Sequence, residues 1–184
     1  MNNSKLSVRE LQEKDIEPLT NYWITAEDSF LTGMGCDVKK MPDKEAFTKM
    51  LQVQLKTPIE QKKAYCIIWE DNGIAIGHSN TNPTIYGEEA TMHLHLWNDI
   101  SRKKGMGSEL VKLTLPLFFE NLKLKKLICE PYALNPAPNK TLEKVGFDFV
   151  KEYVTIPGML NFEQAVKRWE MTREKFLKLR NKTV

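Results

Sequence analysis

Cysteine is scarce, with three in 184 residues at Cys36, Cys66 and Cys129. The odd count and wide spacing argue against a disulfide framework and against a cysteine zinc site. Cys66 in AYCIIWE and Cys129 in LICEP sit in apolar runs, where cysteine acts as a small buried hydrophobe. A reducing compartment fits. Long apolar runs are missing too: none approaches membrane-spanning length, and MNNSKLSVRELQEKD has no apolar signal-peptide core. A soluble, cytoplasmic protein with no membrane partner is expected. Nor does one sign of charge dominate. The chain has 27 Lys and Arg against 24 Asp and Glu, a net +3. That balance argues against a nucleic-acid partner, which calls for a clustered basic face, but leaves room for a local anionic ligand. Internal repeats, low-complexity tracts and linkers are absent, and the length suits one domain over 1–184.

What is present is a clear succession of periodic segments. KLSVREL alternates like a short strand, and EKDIEPLTNYWI places Ile16, Leu19, Tyr22 and Trp23 at helical spacing. TAEDSFLTGMGCDVKKMPD reads as a loop or broken helix, of the kind that frames a binding mouth. DKEAFTKMLQVQLK is an amphipathic helix. AYCIIWE and IAIGHSNTN flank Asp71-Asn72-Gly73, a hairpin turn. EATMHLHLW predicts a further strand, and GSELVKLTLPLFFENLK a helix that Pro116 kinks or interrupts. KKLICEPY predicts a strand, NPAPNKTLEKVG a short helix closed by Gly146, and FDFVKEYVTI a strand. The tail fits helical spacing, yet KRWEMT reads equally as an edge strand. Hairpin-linked strands followed by strand–helix–strand units predict an α/β (α+β) domain with a mixed sheet.

SRKKGMGSEL joins a strand to a helix. Glycines let a backbone approach a ligand closely, and the helix start offers N–H groups and the positive dipole end. Arg102, Lys103 and Lys104 add charge. A phosphate cradle and a solvated basic turn are both consistent with this. The spacing is neither a Walker A loop nor a dinucleotide fingerprint.

With its downstream elements, this stretch resembles the GNAT superfamily of acyl-CoA-dependent N-acyltransferases. Their [QR]-x-x-G-x-[GA] signature is matched by Arg102 to Gly107. NPAPNKTLEKVGF, Asn135 to Phe147, is similar to the N-x-x-S-N-x-x-L-E-K-x-G-F pattern of the ribosomal-protein (RimJ/RimL-type) branch, and RWEMTRE resembles that branch's closing strand. The resemblance implies a mostly antiparallel sheet of six to seven strands flanked by helices and splayed at the CoA-binding strand. Residues 1–60 would supply acceptor-side elements, 64–155 the CoA-binding core and 156–184 a closing strand and tail. It implies acetyl-CoA as cosubstrate, without a metal, and a primary amine as acceptor, either a protein N-terminus or a small amine. A monomer or a homodimer would fit.

The resemblance also assigns residues. Arg102, Lys103, Lys104, Gly105, Met106, Gly107 and Ser108 would hold the CoA pyrophosphate, Leu96, Trp97 and Asn98 the pantetheine arm, and Asn135 and Asn139 further CoA atoms. A strand bulge would present an amide to the thioester oxygen. Trp23, Phe30, Met34 and Asp37 lie in the region that frames the acceptor. For proton transfer, His93 and His95 alternate on one strand and so share a face; histidine suits a general base. Glu88 and Glu89, just upstream, compete for that role, with strand-edge solvation as the other reading. His78, on the neighbouring strand, either approaches the same cleft or is structural, and the structural role is favoured. The usual acid positions hold Leu142 and Pro138, which leaves Tyr132, Tyr153 or water to protonate the thiolate. Those departures also motivate an alternative, a catalytically weak GNAT-fold module that binds CoA or regulates.

Overall fold

The apolar alternation builds one sheet, and hairpin turns set its order. A computed structural model describes residues 5–97 and 105–181. The strands are β1 (Leu6–Glu10), β2 (Tyr65–Asp71), β3 (Ile74–Ile85), β4 (Glu89–Leu96), β5 (Lys126–Cys129), β6 (Asp148–Thr155) and β7 (Gln164–Thr172). They form a seven-stranded sheet in the order β1-β2-β3-β4-β5-β7-β6. Only β4 and β5 are parallel; the other neighbours are antiparallel. The expected mixed, mostly antiparallel α/β sheet is therefore present.

The helices are α1 (Ile16–Ile24), α2 (Asp28–Gly33), α3 (Lys44–Lys56), α4 (Gly107–Asn121), α5 (Pro136–Val145) and α6 (Arg173–Asn181). Helix α4 is the crossover that makes β5 parallel to β4, and it runs through Pro116 as one element. Pro136 opens α5 and Gly146 closes it in the left-handed conformation, as its sequence anticipates. Among the described residues, no helix is long and apolar enough to cross a membrane.

Two apolar clusters cover the two faces. Trp69, Met92, Leu127 and Met171 face α4, whose Leu110, Phe118 and Phe119 are fully buried. Cys66 and Ile68 face the other way, under Leu19 and Trp23 of α1 and Phe47 and Leu51 of α3. Trp69 also donates its indole N–H to Thr114 Oγ1 at 2.8 Å, which ties the sheet to α4. Arg9 of β1 bonds Asp15 at 2.5 and 2.8 Å and Glu70 of β2 at 2.7 Å, so the entry to α1 is fixed to the sheet.

One expectation needs correcting. KRWEMT is a strand but not an edge: β7 lies between β5 and β6, and β6 takes the edge. The reason is visible in burial, since Val166, Trp169 and Met171 on β7 are buried, whereas β6 is mostly exposed. The helical spacing of Phe176 and Leu177 belongs to the separate helix α6.

Candidate functional site

The β3–β4 ladder places the histidines. Asn80 pairs with His93 and His78 with His95, with no register shift between these pairs. Cross-strand partners share a face, so His78, His93 and His95 all point toward the α1–α3 side. The single irregularity in this ladder lies on β3 between Thr81 and Thr84, not on β4. Gly77 makes the close approach possible: a Cβ there would sit 2.4 Å from the His95 carbonyl oxygen.

Each ring has a distinct setting. His78 is 2% exposed and accepts a hydrogen bond at Nδ1 from Trp97 Nε1 at 2.8 Å. Burial, and secondarily the neighbouring His93, push its pKa down to about 3, so it stays neutral. His93 places Nε2 2.9 Å from the Asn82 carbonyl oxygen. A carbonyl only accepts, so the ring proton lies on Nε2 and Nδ1 is the basic nitrogen. Burial lowers the His93 pKa, against raising effects from the Asn82 carbonyl and the Glu130 carboxylate. His95 stacks on His78 at 4.8 Å and meets Trp23 edge-on at 4.7 Å. The Tyr22 hydroxyl lies 3.4 Å from His95 Nδ1.

These rings open on a cavity of about 830 Å³ between the sheet, α1, α3 and residues 157–161. Of the residues anticipated from sequence, His93, His95, Tyr132, Asn135, Trp23 and Met34 line it together. Phe30 stands outside the lining, against the Tyr22 ring at 6.3 Å. Asp37 caps the short turn Val38–Lys40 by accepting from the Lys39 N–H. Glu89 shares the histidine face by strand alternation but sits lower on β4 and pairs with Lys126 at 3.0 Å. Leu96 ends β4, and Trp97 follows it. Asn139 is buried: its Nδ2 donates to the Tyr132 and Asn135 carbonyls at 3.1 and 2.8 Å, and its Oδ1 accepts from Trp169 Nε1 at 2.9 Å. It thereby fixes the turn that carries Tyr132.

Two contributors, Glu130 and Tyr22, carried no clear signal in the sequence. Glu130 lines the cavity and accepts from Tyr153 Oη at 2.5 Å and Arg168 Nη1 at 2.8 Å. Burial pushes the Tyr153 hydroxyl pKa up, and its bond to Glu130 adds to the rise. Tyr22, read as a core position, reaches His95, and His78 lines the cavity rather than only filling the core. An acid directly after the apolar run LIC was the one available hint of Glu130.

Cys36, Cys66 and Cys129 also line this cavity, all as buried free thiols. Burial pushes the Cys36 pKa up to about 11 and raises Cys66 and Cys129 as well. Among the described residues, no group of three or more His, Cys, Asp or Glu side chains could hold a metal ion.

Beside the cavity the sheet opens. β4 pairs with β5 only from Glu89 to Thr91, opposite Lys126 to Ile128; β4 then continues to Leu96 while β5 stops at Cys129. The Trp97 N–H donates to the Ile76 carbonyl on β3. By antiparallel alternation the Leu94 N–H therefore faces the opening. Across the opening, α4 starts at Gly107 without a side-chain cap at Met106. Gly105 holds φ +69°, with open space where a Cβ would stand. Met106 and Ser108 are buried and anchor the turn. Asn98, Arg102, Lys103 and Lys104 lie outside the described residues. The described part fits an elongated ligand, with amides running along β4 and an anionic group at the start of α4.

Comparison with known proteins agrees with this geometry. Residues 5–148 match the family model described as an acetyltransferase (GNAT) domain. No curated protein matches the sequence. Among solved structures, spermidine N-acetyltransferase from Vibrio cholerae, in complex with CoA and spermine, is similar with a TM-score of 0.76. It has 18% identity, over 94% of this chain and 98% of that one. Aminoglycoside acetyltransferase AAC(6')-Ib, in complex with coenzyme A and kanamycin, gives 0.72 at 18% identity, over 96% of this chain and 99% of that one. An uncharacterized protein from Bacillus halodurans gives 0.69 at 17% identity, over 96% of this chain and 88% of that one.

Proposed function

This chain belongs to the GNAT acetyltransferase family, and we propose that it transfers the acetyl group of acetyl-CoA directly to a primary amine in a ternary complex. The observation that carries the reading is His93. Its Nε2–H is fixed on the Asn82 carbonyl, its Nδ1 is left as the proton acceptor, and the ring borders the cavity beside the β4–β5 opening. Acetyl-CoA, when bound, supplies the thioester that the amine attacks.

The remaining roles follow from the chain's own groups. Burial lowers the His93 pKa, which keeps the ring unprotonated near neutral pH and able to take a proton from the acceptor ammonium. The Leu94 N–H, turned toward the opening, donates to the thioester oxygen as negative charge builds there. A new C–N bond forms, the C–S bond breaks, and the leaving sulfur needs a proton. Tyr132 lines the cavity at the end of β5 and is the group we assign to supply it. The start of α4 with Gly105, Gly107 and Ser108, joined by Arg102, Lys103 and Lys104, would hold the pyrophosphate. Asn98 and the Leu96–Trp97 backbone would run beside the pantetheine arm, and Asn135 would meet the ligand from the α5 side.

The Asn135–Phe147 motif supports the RimJ/RimL-type branch, and with it a protein N-terminus among the acceptors. The amines bound in the similar structures, spermine and kanamycin, support small amines as a second group. The reading of a weakly active CoA-binding module rests on Leu142, fully buried in the core, and on Pro138, which has no proton to give.

Two measurements test the proposal. Acetyl-CoA should bind in calorimetry, and free thiol should appear when amines are supplied. His93→Gln should lower kcat about 10²- to 10³-fold, the scale of a lost general base, with acetyl-CoA affinity kept. Absence of acetyl-CoA binding at high micromolar concentration would sink the reading.

A further inference from the structure

The charges that border the cavity are unlike what a polycation needs. Among the described residues, the charged side chains of the lining are Lys49, Lys62, Lys63 and Glu130. Glu130 already accepts from Arg168 and Tyr153. Lys62 is held by the Gln54 carbonyl, and Lys49 and Lys63 are exposed. Asp37 lies outside the lining and faces Lys40 at 3.8 Å. His78 and His93 are kept neutral by burial. Among the described residues, the one lining carboxylate is already ion-paired with Arg168, and an ammonium that loses its water without a counter-charge is strongly disfavoured.

Shape and polarity point the same way. Trp23, Met34 and Phe47 form the inner wall on the α1–α3 side, and Met50, Val53 and Met159 flank the lining while staying 48%, 57% and 69% exposed. An apolar body seated there would cover surface that the chain itself leaves in water.

We propose that the acceptor is a primary monoamine on an apolar body, and that the cavity rejects polycations. Where the acceptor carries a second charge it is an anion, seated at the Lys49–Lys62–Lys63 edge. This specificity rests on the transferase reading for its chemistry, but its binding content stands apart from turnover.

The test is calorimetry on the full chain with CoA present, at physiological salt, using 4-phenylbutylamine, 6-aminohexanoate and spermidine. We expect 4-phenylbutylamine to bind at least about tenfold more tightly than spermidine, on the scale of an ammonium that sheds water without gaining a counter-charge. The double variant Lys49→Glu, Lys63→Glu changes two exposed side chains and should leave the fold intact. It should strengthen spermidine and weaken 6-aminohexanoate, each about three- to tenfold. Spermidine binding as tight as 4-phenylbutylamine, or no binding of 4-phenylbutylamine, overturns the proposal. Ready acetylation of spermidine alone overturns it while upholding the transferase. The expected binding order with no thiol release from any amine upholds the specificity and overturns the transferase.

Discussion

Acid should weaken the fold through His78 at a higher pH than it does through Asp15. The ring is buried, it accepts from Trp97, and burial holds its pKa at about 3 against a usual 6.5. The unfolded chain therefore binds a proton that the folded chain refuses as pH drops below 6.5, so stability falls with falling pH. At pH 5 the difference is RT ln[(1 + 10^1.5)/(1 + 10^−2)], or about 2 kcal/mol; at pH 7.5 it is about 0.1 kcal/mol. For a chain of this size that is a drop in Tm of about 4–8 °C. Burial raises the Asp15 pKa, but its bonds to Arg9 and the Gln12 N–H bring it net below 3.8, so its contribution is lost only at lower pH. His93 adds to the loss in the same direction, since burial lowers its pKa too. The assay is urea or thermal unfolding at pH 7.5, 6 and 5, for the wild type and for His78→Asn, whose side-chain oxygen can still accept from Trp97. His78→Asn should start less stable at pH 7.5 and lose about 2 kcal/mol less between pH 7.5 and 5. Equal losses in the two proteins would refute the reasoning.

Two further outcomes are expected. Gly77→Ala would force a Cβ to 2.4 Å from the His95 carbonyl; it should cost about 1–3 kcal/mol in chemical unfolding and lower kcat by shifting His95. Asn139→Leu would leave the buried Trp169 indole N–H and the Tyr132 carbonyl without their partner. That should cost about 2–4 kcal/mol by the same measurement, and an unchanged Tm would remove Asn139 from its positioning role.

The fold was legible where a segment's own period decided its state. The Asp71-Asn72-Gly73 turn, the α3 stripe of Phe47 and Leu51, and the closure of α5 at Gly146 all follow from local chemistry. The His93–His95 alternation predicted a shared face, and the unshifted β3–β4 register delivers it. What stayed hidden depends on partners far apart in the chain. Nothing local to KRWEMT says that β7 will slip between β5 and β6. Nothing local to Glu130 shows that Arg168, 38 residues on, will meet it. His78, set between Gly77 and Ser79, could be structural or approach the cleft; only the fold brings Trp97 to its Nδ1 and His95 to its ring. Asn139 was singled out for a ligand, and the fold gives its amide three internal partners.

The buried cysteines carry a consequence for the chemistry proposed. An acyl thioester is vulnerable to any thiolate nearby, because exchange between sulfurs is fast and requires only the anion. Three thiols border the cavity in which the thioester would be opened. With the Cys36 pKa near 11, roughly one molecule in three thousand holds that thiolate at pH 7.5. Cys66 and Cys129 are pushed the same way. The burial that keeps these thiols protonated thus also keeps the acetyl group off the protein, leaving the amine as the nucleophile able to take it.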